Sequence, residues 1–190
     1  MPDWLESIVI WPVLLYRQVR YGYTFRRIRM TQPQYAKVNP ADYKRLREYE
    51  WFSIKGTRNF YTVRRVKGTK GTRFSIIYMH RELIEVADRL LVDHINHDGM
   101  DNRRTNLRAA TRAQNIRNRK KFANSIGSKY KGIFCAKKQK RWIARIMLEK
   151  KKIYLGCFRN EIDAAKAYDR AARKYHGEFA SLNFPESEKG

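Results

Sequence analysis

Residues 92–115 read VDHINHDGMDNRRTNLRAATRAQN, a stretch of aspartates, histidines, asparagines and arginines with few large apolar side chains. Such a segment cannot build a hydrophobic core, so other parts of the chain must hold it in place. Val92 ends a short apolar run, and NLRAA from Asn106 predicts a second short strand. Thr111 and Gln114 have the spacing of a capping box, which predicts a helix that begins there. The predicted order is strand, polar loop, strand, helix.

Two side chains with oxygen atoms lie at the ends of the predicted elements. Asp93 follows the first strand, and Asn115 falls in the first turn of the helix. They can converge on one hard cation, because such ions prefer oxygen ligands and leave other positions to water and phosphate. The stretch is therefore a candidate metal site.

The net charge limits the partners of the chain. Its 190 residues include 42 Lys and Arg against 18 Asp and Glu, a formal charge of +24. Hydrophobic residues make up 43%, which is enough to build a core in one or two domains. A charge this large repels itself in a compact state and attracts polyanions. Nucleic acid is the favoured partner, and the alternatives are an anionic membrane surface or a merely solvated basic face.

The N-terminal apolar run, residues 8–16, is shorter than the roughly 20 residues that a membrane span needs. Asp3 and Glu6 precede it where a signal peptide carries basic residues. We interpret it as a short amphipathic or buried segment and expect a cytoplasmic protein, associated with the nucleoid if it is prokaryotic. The basic and aromatic residues after it either dock on phosphates or pack on the domain behind them.

Cys135 and Cys157 are far apart and lack close Cys or His companions. This spacing predicts neither a disulfide framework nor a structural zinc site. Both side chains are predicted to be small core or half-buried groups, as free cysteine usually is.

The chain divides into two blocks of regular pattern. In the first, Asn39 followed by a proline predicts a short helix. Residues 59–66 and 73–80 predict two strands joined by a glycine-containing turn. Apolar residues at helical spacing predict a helix over residues 80–91.

The second block predicts three strands and a helix. The strands are at residues 130–136, 141–148 and 151–158. Asn160 is a suitable N-cap and Gly177 a suitable C-terminal stop for the helix between them, whose small alanines let it lie close to the sheet. The fold class is therefore α+β. The predicted division is an N-terminal segment of unknown role, a first domain, a linker, a second domain and a tail, at residues 1–30, 31–120, 121–128, 129–185 and 186–190.

The stretch at residues 92–115 resembles the HNH endonuclease family, whose shared unit is the ββα-metal fold. The matching residues are DH at 93–94, DNRRTNLR at 101–108 and QN at 114–115. The resemblance implies that His94 is the general base that activates water against a phosphodiester. It implies that Asn106 braces the hairpin, and that Asp93 and Asn115 hold one divalent ion, Mg²⁺ or Mn²⁺.

These implied roles agree with elementary chemistry. An imidazole with an unperturbed pKa of about 6.5 can accept a proton near neutral pH. One metal ion can neutralise the charge that grows on the scissile phosphate and on the departing 3′ oxygen. Arg103, Arg104 and Arg108 would then grip the DNA backbone. Asparagine at the last position is a variant found in homing-type members, and the cysteine pairs of zinc-stapled members are missing.

Residues 129–185 resemble the plant APETALA/ethylene-response-type DNA-binding domain. The matching residues are YKGI at 130–133, RWIARI at 141–146, YLGCF at 154–158, EIDAAKAYDRAA at 161–172 and LNFP at 182–185. The resemblance implies a three-stranded antiparallel sheet, backed by one helix, whose exposed face enters the major groove. The residues that it places on this reading face are Lys131, Arg145, Lys152 and Tyr154.

The block departs from the plant pattern where that family usually has arginines. Phe134, Ala136 and Met147 stand at those positions. Arginine is the best bidentate reader of guanine and supplies about 1–3 kcal/mol of discrimination per contact, so the plant target sequence does not carry over. The turn lysines are expected to grip phosphates instead; they are Lys137, Lys138 and Lys140.

These features together predict a site-biased DNA endonuclease of homing or mobile-element type. It would act on double-stranded DNA and nick one strand, since the chain carries one such motif; a monomer and a dimer both remain open. The first rival is a transcription-regulator-like binder with a decayed nuclease motif. The second is an RNA-directed nuclease or RNA-binding protein, against which the major-groove sheet argues.

Overall fold

The computed structural model describes residues 3–68, 71–121, 127–136 and 140–185, with side chains from residue 8 onwards. Within them the fold is a mixed α+β arrangement of small antiparallel sheets and helices, so the predicted class is confirmed. The chain divides into two compact units, residues 1–110 and 111–189.

The first unit contains three helices and three small antiparallel sheets among its described residues. The helices are α1 (Asp3–Tyr21), α2 (Pro40–Leu46) and α3 (Met79–Leu83). The strands are β1 (Arg26–Arg29), β2 (Tyr35–Val38), β3 (Phe52–Lys55), β4 (Phe60–Lys67), β5 (Phe74–Tyr78), β6 (Leu91–His94) and β7 (Leu107–Ala110). β1 pairs with β2, β6 pairs with β7, and the third sheet has the order β3-β4-β5.

One apolar core holds the first unit together and supports the β6–β7 hairpin. Its largest member is Trp51, which is fully buried and whose indole N–H donates to the carbonyl of Leu46 at 2.7 Å. Val92 of β6 and Leu107 of β7 belong to the same core. Both ends of the polar loop between these two strands are therefore anchored in the apolar core.

The helix predicted over residues 80–91 is wrong in extent. α3 ends at Leu83, and Ile84 has an extended backbone with φ −126° and ψ 118°. Ile84 and Val86 pack against the core from outside any helix. Burial of these β-branched side chains, which have modest helix propensity, outweighs the helical spacing of the sequence.

The N-terminal apolar run is part of the longer helix α1. Ile8, Trp11 and Val19 of this helix are exposed, so the interpretation as a buried segment is wrong. The basic and aromatic residues that follow pack on the unit, since Phe25 is buried and the guanidinium carbon of Arg103 lies 3.4 Å from the ring centre of Tyr23. No helix in the described part of the chain is long and apolar enough to cross a membrane.

Among its described residues, the second unit contains a short helix, a three-stranded sheet and a long helix. The elements are α4 (Arg112–Asn118), β8 (Ile133–Ala136), β9 (Arg141–Leu148), β10 (Lys151–Phe158) and α5 (Glu161–His176). The sheet is antiparallel with β9 in the centre. The predicted helix and the strands at residues 141–148 and 151–158 are confirmed, whereas the strand predicted from residue 130 begins at Ile133. The predicted helix ends are confirmed as well, because the Asn160 side chain accepts from the Asp163 amide at 2.7 Å and Gly177 ends α5 with φ 53°.

Alanines let α5 lie close against the sheet, as the sequence predicts. Ala164, Ala165 and Ala172 are fully buried in a core with Ala144 and Ile146 of β9. The cysteine prediction is wrong, because Cys135 and Cys157 are both exposed. They lie on β8 and β10, the two outer strands of the sheet, where a neighbouring strand covers only one side.

Candidate functional site

The β6–β7 hairpin places Asp93 and His94 at the end of β6. Asp93 pairs in register with Arg108, and His94 with Leu107. Both Asp93 and His94 are buried, at 5% and 6% exposed. The strand pairing over an apolar base therefore fixes two polar side chains in a largely dry position.

The His94 imidazole is oriented by a buried amide. Its Nε2 lies 3.4 Å from Oδ1 of Asn102, which is itself fully buried. Burial lowers the pKa of His94, and this effect exceeds the opposing influence of the Asn102 hydrogen bond and of the nearby carboxylates of Asp93, Asp98 and Asp101. His94 is consequently neutral at physiological pH and able to accept a proton.

A second buried histidine lies against His94. The ring centres of His80 and His94 are 5.1 Å apart at an interplanar angle of 89°. The Tyr61 ring lies 6.0 Å from His94 and 6.1 Å from His80, and the Tyr78 ring lies 5.2 Å from His80. Burial lowers the pKa of His80 to about 3. The sequence places His80 at the start of a helix but carries no local signal for this contact.

Asparagine and aspartate side chains brace the loop between β6 and β7. Asn106 accepts from the Asn96 amide at 2.9 Å and donates to the Asp101 carbonyl at 2.7 Å. Asn96 accepts from the Asp98 amide at 2.8 Å, and Asp98 accepts from the Met100 amide at 3.0 Å. Such Asx-type bonds replace the backbone pairing that an irregular loop lacks.

Two arginines predicted to grip DNA are engaged within the first unit. The guanidinium of Arg103 makes a bidentate pair with the fully buried Asp101, at 2.8 and 2.6 Å. Arg104 makes a bidentate pair with Asp42 of α2, at 2.9 and 2.7 Å, and its amide donates to Asn39 at 2.7 Å. These contacts fasten the loop to the rest of the unit.

Asp93 has an ion-pair partner on the neighbouring strand. Arg108 lies 2.9 Å from its Oδ2, and Arg108 Nε donates to the same oxygen at 3.0 Å. Among the described residues no group of three or more His, Cys, Asp or Glu side chains is placed to hold a metal. A carboxylate with an amide oxygen is nonetheless a donor set that suits a hard divalent cation, because water and phosphate oxygens complete its coordination.

Asn115 lies in the first turn of α4, as predicted. The capping box is confirmed, since the Thr111 side chain accepts from the Gln114 amide at 3.2 Å and the Gln114 side chain accepts from the Thr111 amide at 2.8 Å. α4 belongs to the second unit, whereas Asp93 and His94 belong to the first. Convergence of Asp93, His94 and Asn115 therefore remains a prediction.

The sheet of the second unit exposes three of the predicted reading residues. Arg145, Lys152 and Tyr154 are exposed, and Arg145 pairs in register with Tyr154. Lys131 is half-buried, and its ammonium group donates to the carbonyls of Arg117 and Arg119. Lys140 is exposed at the start of β9. The other two turn lysines, Lys137 and Lys138, lie outside the described residues.

Comparison with known families agrees with the hairpin. Residues 85–117 match the family model described as HNH endonuclease. The match contains both strands of the hairpin, the braced loop and the first turns of α4.

Curated plant proteins are similar to part of the chain. A stretch of 59 residues, 30% of this chain, is 49% identical to APETALA2-like protein 2 of Oryza sativa subsp. indica and covers 13% of that protein. A stretch of 72 residues, 38% of this chain, is 36% identical to the AP2-like ethylene-responsive transcription factor TOE2 of Arabidopsis thaliana and covers 15% of it.

A third relative gives the same picture. Over 58 residues, 30% of this chain, the identity to an AP2/ERF and B3 domain-containing protein of Oryza sativa subsp. japonica is 43%, and the match covers 16% of that protein. The chain thus spans only a small part of the length of these curated relatives. It joins an HNH-like segment to an AP2-like segment.

Proposed function

We propose that this protein is a metal-dependent DNA endonuclease that nicks one strand of double-stranded DNA. The observation that carries the proposal is the buried His94, held by Asn102 next to Asp93 inside the segment that matches the HNH endonuclease model. We further propose that it is of homing or mobile-element type, acting on DNA in the cytoplasm. The AP2-like segment would bias the position of the cut.

His94 is the general base in this proposal. Nε2 faces the amide oxygen of Asn102, which only accepts hydrogen bonds. In this proposal the neutral imidazole of His94 takes the proton from the attacking water. The water oxygen bonds to phosphorus as the bond to the 3′ oxygen breaks, and the departing 3′ oxygen takes a proton from solvent, which leaves a 5′-phosphate and a 3′-hydroxyl.

Asp93 and Asn115 are the proposed ligands of one Mg²⁺ or Mn²⁺ ion, through carboxylate and amide oxygens. When bound, the ion neutralises charge on the scissile phosphate and on the departing oxygen. Asn106 acts indirectly in this proposal, since its hydrogen bonds hold the loop that carries Asn102. The ββα closure of α4 on the hairpin is part of the same proposal.

The DNA contacts follow from charge and exposure. Arg145, Lys152 and Tyr154 are proposed to face the major groove, and Lys140, with Lys137 and Lys138, to hold phosphates. Four further basic residues are proposed to contact the DNA backbone through the N–H groups that their internal hydrogen bonds do not use. They are Lys131, Arg103, Arg104 and Arg108. Two tethered modules raise the local concentration of the cutting site near a preferred sequence, which a small nuclease hairpin needs.

The decisive experiment uses supercoiled plasmid, incubated with the protein in Mg²⁺ or in EDTA. We expect relaxed circles only with metal, and a loss of at least about 10²-fold in cleavage rate for His94→Ala with binding retained. His97→Asn is the matched control, because it removes an imidazole from the same loop at a left-handed residue with φ 68°, which asparagine tolerates.

The same experiment separates the non-catalytic rival. A transcription-regulator-like binder with a decayed nuclease motif predicts no metal-dependent relaxation and identical DNA handling by the wild type and His94→Ala. Competition between duplex DNA and duplex RNA at matched salt separates the RNA-directed rival, since the deep, narrow major groove of A-form RNA does not admit a sheet.

A further inference from the structure

The sheet of the second unit has one face on α5 and one face open. Ala144 and Ile146 of β9 are buried against α5. Residues alternate between the two faces of a strand, so Ile143, Arg145 and Met147 lie on the opposite side. Their register partners extend this side, which we call the outer face; it comprises Phe134, Ile143, Arg145, Met147, Lys152, Tyr154 and Cys157.

The outer face carries large apolar side chains in the open. Phe134 is 54% exposed, Met147 is 47% exposed and Tyr154 is 59% exposed. A domain this small gains no stability from exposing three such groups on one side of its sheet. A cluster of this kind usually marks a binding surface.

Cations are interleaved with these apolar groups. Met147 pairs across the strands with Lys152, and Tyr154 pairs with Arg145. The guanidinium carbon of Arg145 also lies 5.9 Å from the ring centre of Phe134. Phe134, Met147 and Tyr154 therefore each have a positively charged neighbour. An uncharged protein partner would have to desolvate these charges, whereas a polyanion would be attracted to them.

Duplex DNA offers one apolar feature at the floor of its major groove. This is the C5-methyl group of thymine, while the other groups there are hydrogen-bond donors and acceptors. Phenylalanine and methionine have no strong donor for guanine N7 and O6, so on this face they can discriminate between bases only through a methyl group. The groove is about 12 Å wide and admits a strand pair, with neighbouring strands about 4.8 Å apart.

We propose that the outer face reads thymine methyl groups through Phe134 and Met147, while Arg145 and Lys152 lie beside them in the major groove and also reach the phosphates at its edges. This inference rests on the proposed DNA binding and adds the kind of sequence that is bound. The preferred duplexes contain thymine at the positions that Phe134 and Met147 contact.

The test compares thymine with deoxyuridine, which differs only by that methyl group and keeps the hydrogen-bonding pattern. The full-length protein in EDTA selects duplexes from a random pool, and the affinity of the enriched duplex is measured with thymine and with deoxyuridine. We expect deoxyuridine to weaken binding by about fourfold for each contacted methyl, from the free energy of burying one such group.

Substitutions at exposed positions locate the effect without disturbing the core. Met147→Ala and Phe134→Ala should each remove part of the difference between thymine and deoxyuridine, and Met147→Leu should keep it. Met147→Arg should move the preference at its position toward guanine. Ile162→Ala is the matched control, because Ile162 is also exposed and apolar but lies on α5 behind the sheet.

The outcomes separate this inference from the proposed function. Equal affinity for thymine and deoxyuridine duplexes overturns the methyl readout and leaves DNA binding intact. Loss of binding in Met147→Ala that is the same on both duplexes also overturns it. Absence of any enriched or retained duplex overturns the DNA binding on which it rests, and an outer face that binds a protein or a second copy instead would give that result.

Discussion

His80 and His94 form a buried pair of aromatic rings whose pKa values both lie below that of free histidine. A protonated His94 ring in this pocket would lose solvation, and this loss outweighs the attraction of the nearby carboxylates of Asp93, Asp98 and Asp101. The neutral state of the pair is therefore the state that folding selects. It suits His94 as a proton acceptor and makes His80 an uncharged packing partner.

The low pKa of His80 predicts acid sensitivity. In the unfolded chain His80 takes up a proton near pH 6.5, whereas the folded state resists it down to about pH 3. The unfolded state thus binds more protons between these values, so this contribution to stability is complete above pH 6.5 and falls as the pH drops toward 3. The expected loss is about 1.4 kcal/mol per pH unit.

Urea denaturation of the wild type and of His80→Phe in EDTA, from pH 7.5 to 4, measures this loss. His94 is present in both proteins, but its ring lies against His80 and lowers the pKa of His80, so the difference reports His80 together with its coupling to His94. The wild type should lose stability relative to His80→Phe as the pH falls. Parallel pH dependences would show that His80 is solvated and titrates normally.

The sequence predicted part of this site at the level of single residues. Asp93, His94, Asn106 and the Thr111 capping box stand in one contiguous polar stretch, so their local arrangement can be predicted from spacing. The contact between His80 and His94 joins residues on α3 and β6, and the pairing of Arg104 with Asp42 joins a loop to α2. Such partners depend on how the chain returns on itself, which no local pattern encodes.

At the level of elements, the loop between β6 and β7 depends on a buried ion pair. Asp101 is fully buried and pairs with Arg103, which is itself mostly buried. Asp101→Ala leaves that guanidinium unpaired, and we expect it to cost about 3–5 kcal/mol of unfolding free energy. Chemical denaturation measures it. Asp101→Ala combined with Arg103→Met should recover much of the loss, and an equal loss in both variants would contradict a charge-pairing role.

The close approach of α5 to its sheet predicts intolerance at Gly132. This residue has φ 77°, and a Cβ there would lie 2.1 Å from the Tyr168 ring and 2.7 Å from the Arg145 carbonyl. Gly132→Ala combines left-handed strain with overpacking, so we expect a loss of at least about 2 kcal/mol. Thermal denaturation measures it, with Gly127→Ala as the control, since Gly127 has φ 96° and open space around it. Equal losses would show that strain alone is responsible.

Elements were predictable where pattern and packing agree. The three strands of the second unit alternate apolar and polar residues or run apolar, and α5 has both caps, so the local preferences of this unit match its fold. β1, β2 and β3 have four residues each and were not predicted. β6, β7 and β8 are equally short, but they lie in stretches that resemble known families. The helix predicted over residues 80–91 was too long, because the packing of Ile84 and Val86 on the distant core favours an extended backbone after Leu83.

For the whole molecule, the charge of +24 predicts binding that depends steeply on salt. Contacts with six or more phosphates release counterions, so affinity for duplex DNA should fall by about 10³-fold or more between 50 and 200 mM salt.

Lys152→Gln on the outer face should lower the slope of log affinity against log salt by about one, if that lysine contacts a phosphate. Lys166→Gln removes the same charge from the exposed side of α5 and should leave the slope unchanged. Fluorescence anisotropy with a labelled duplex measures all three proteins. A flat salt profile for the wild type would contradict the attraction to a polyanion, and equal slopes for the two variants would place the DNA away from the sheet.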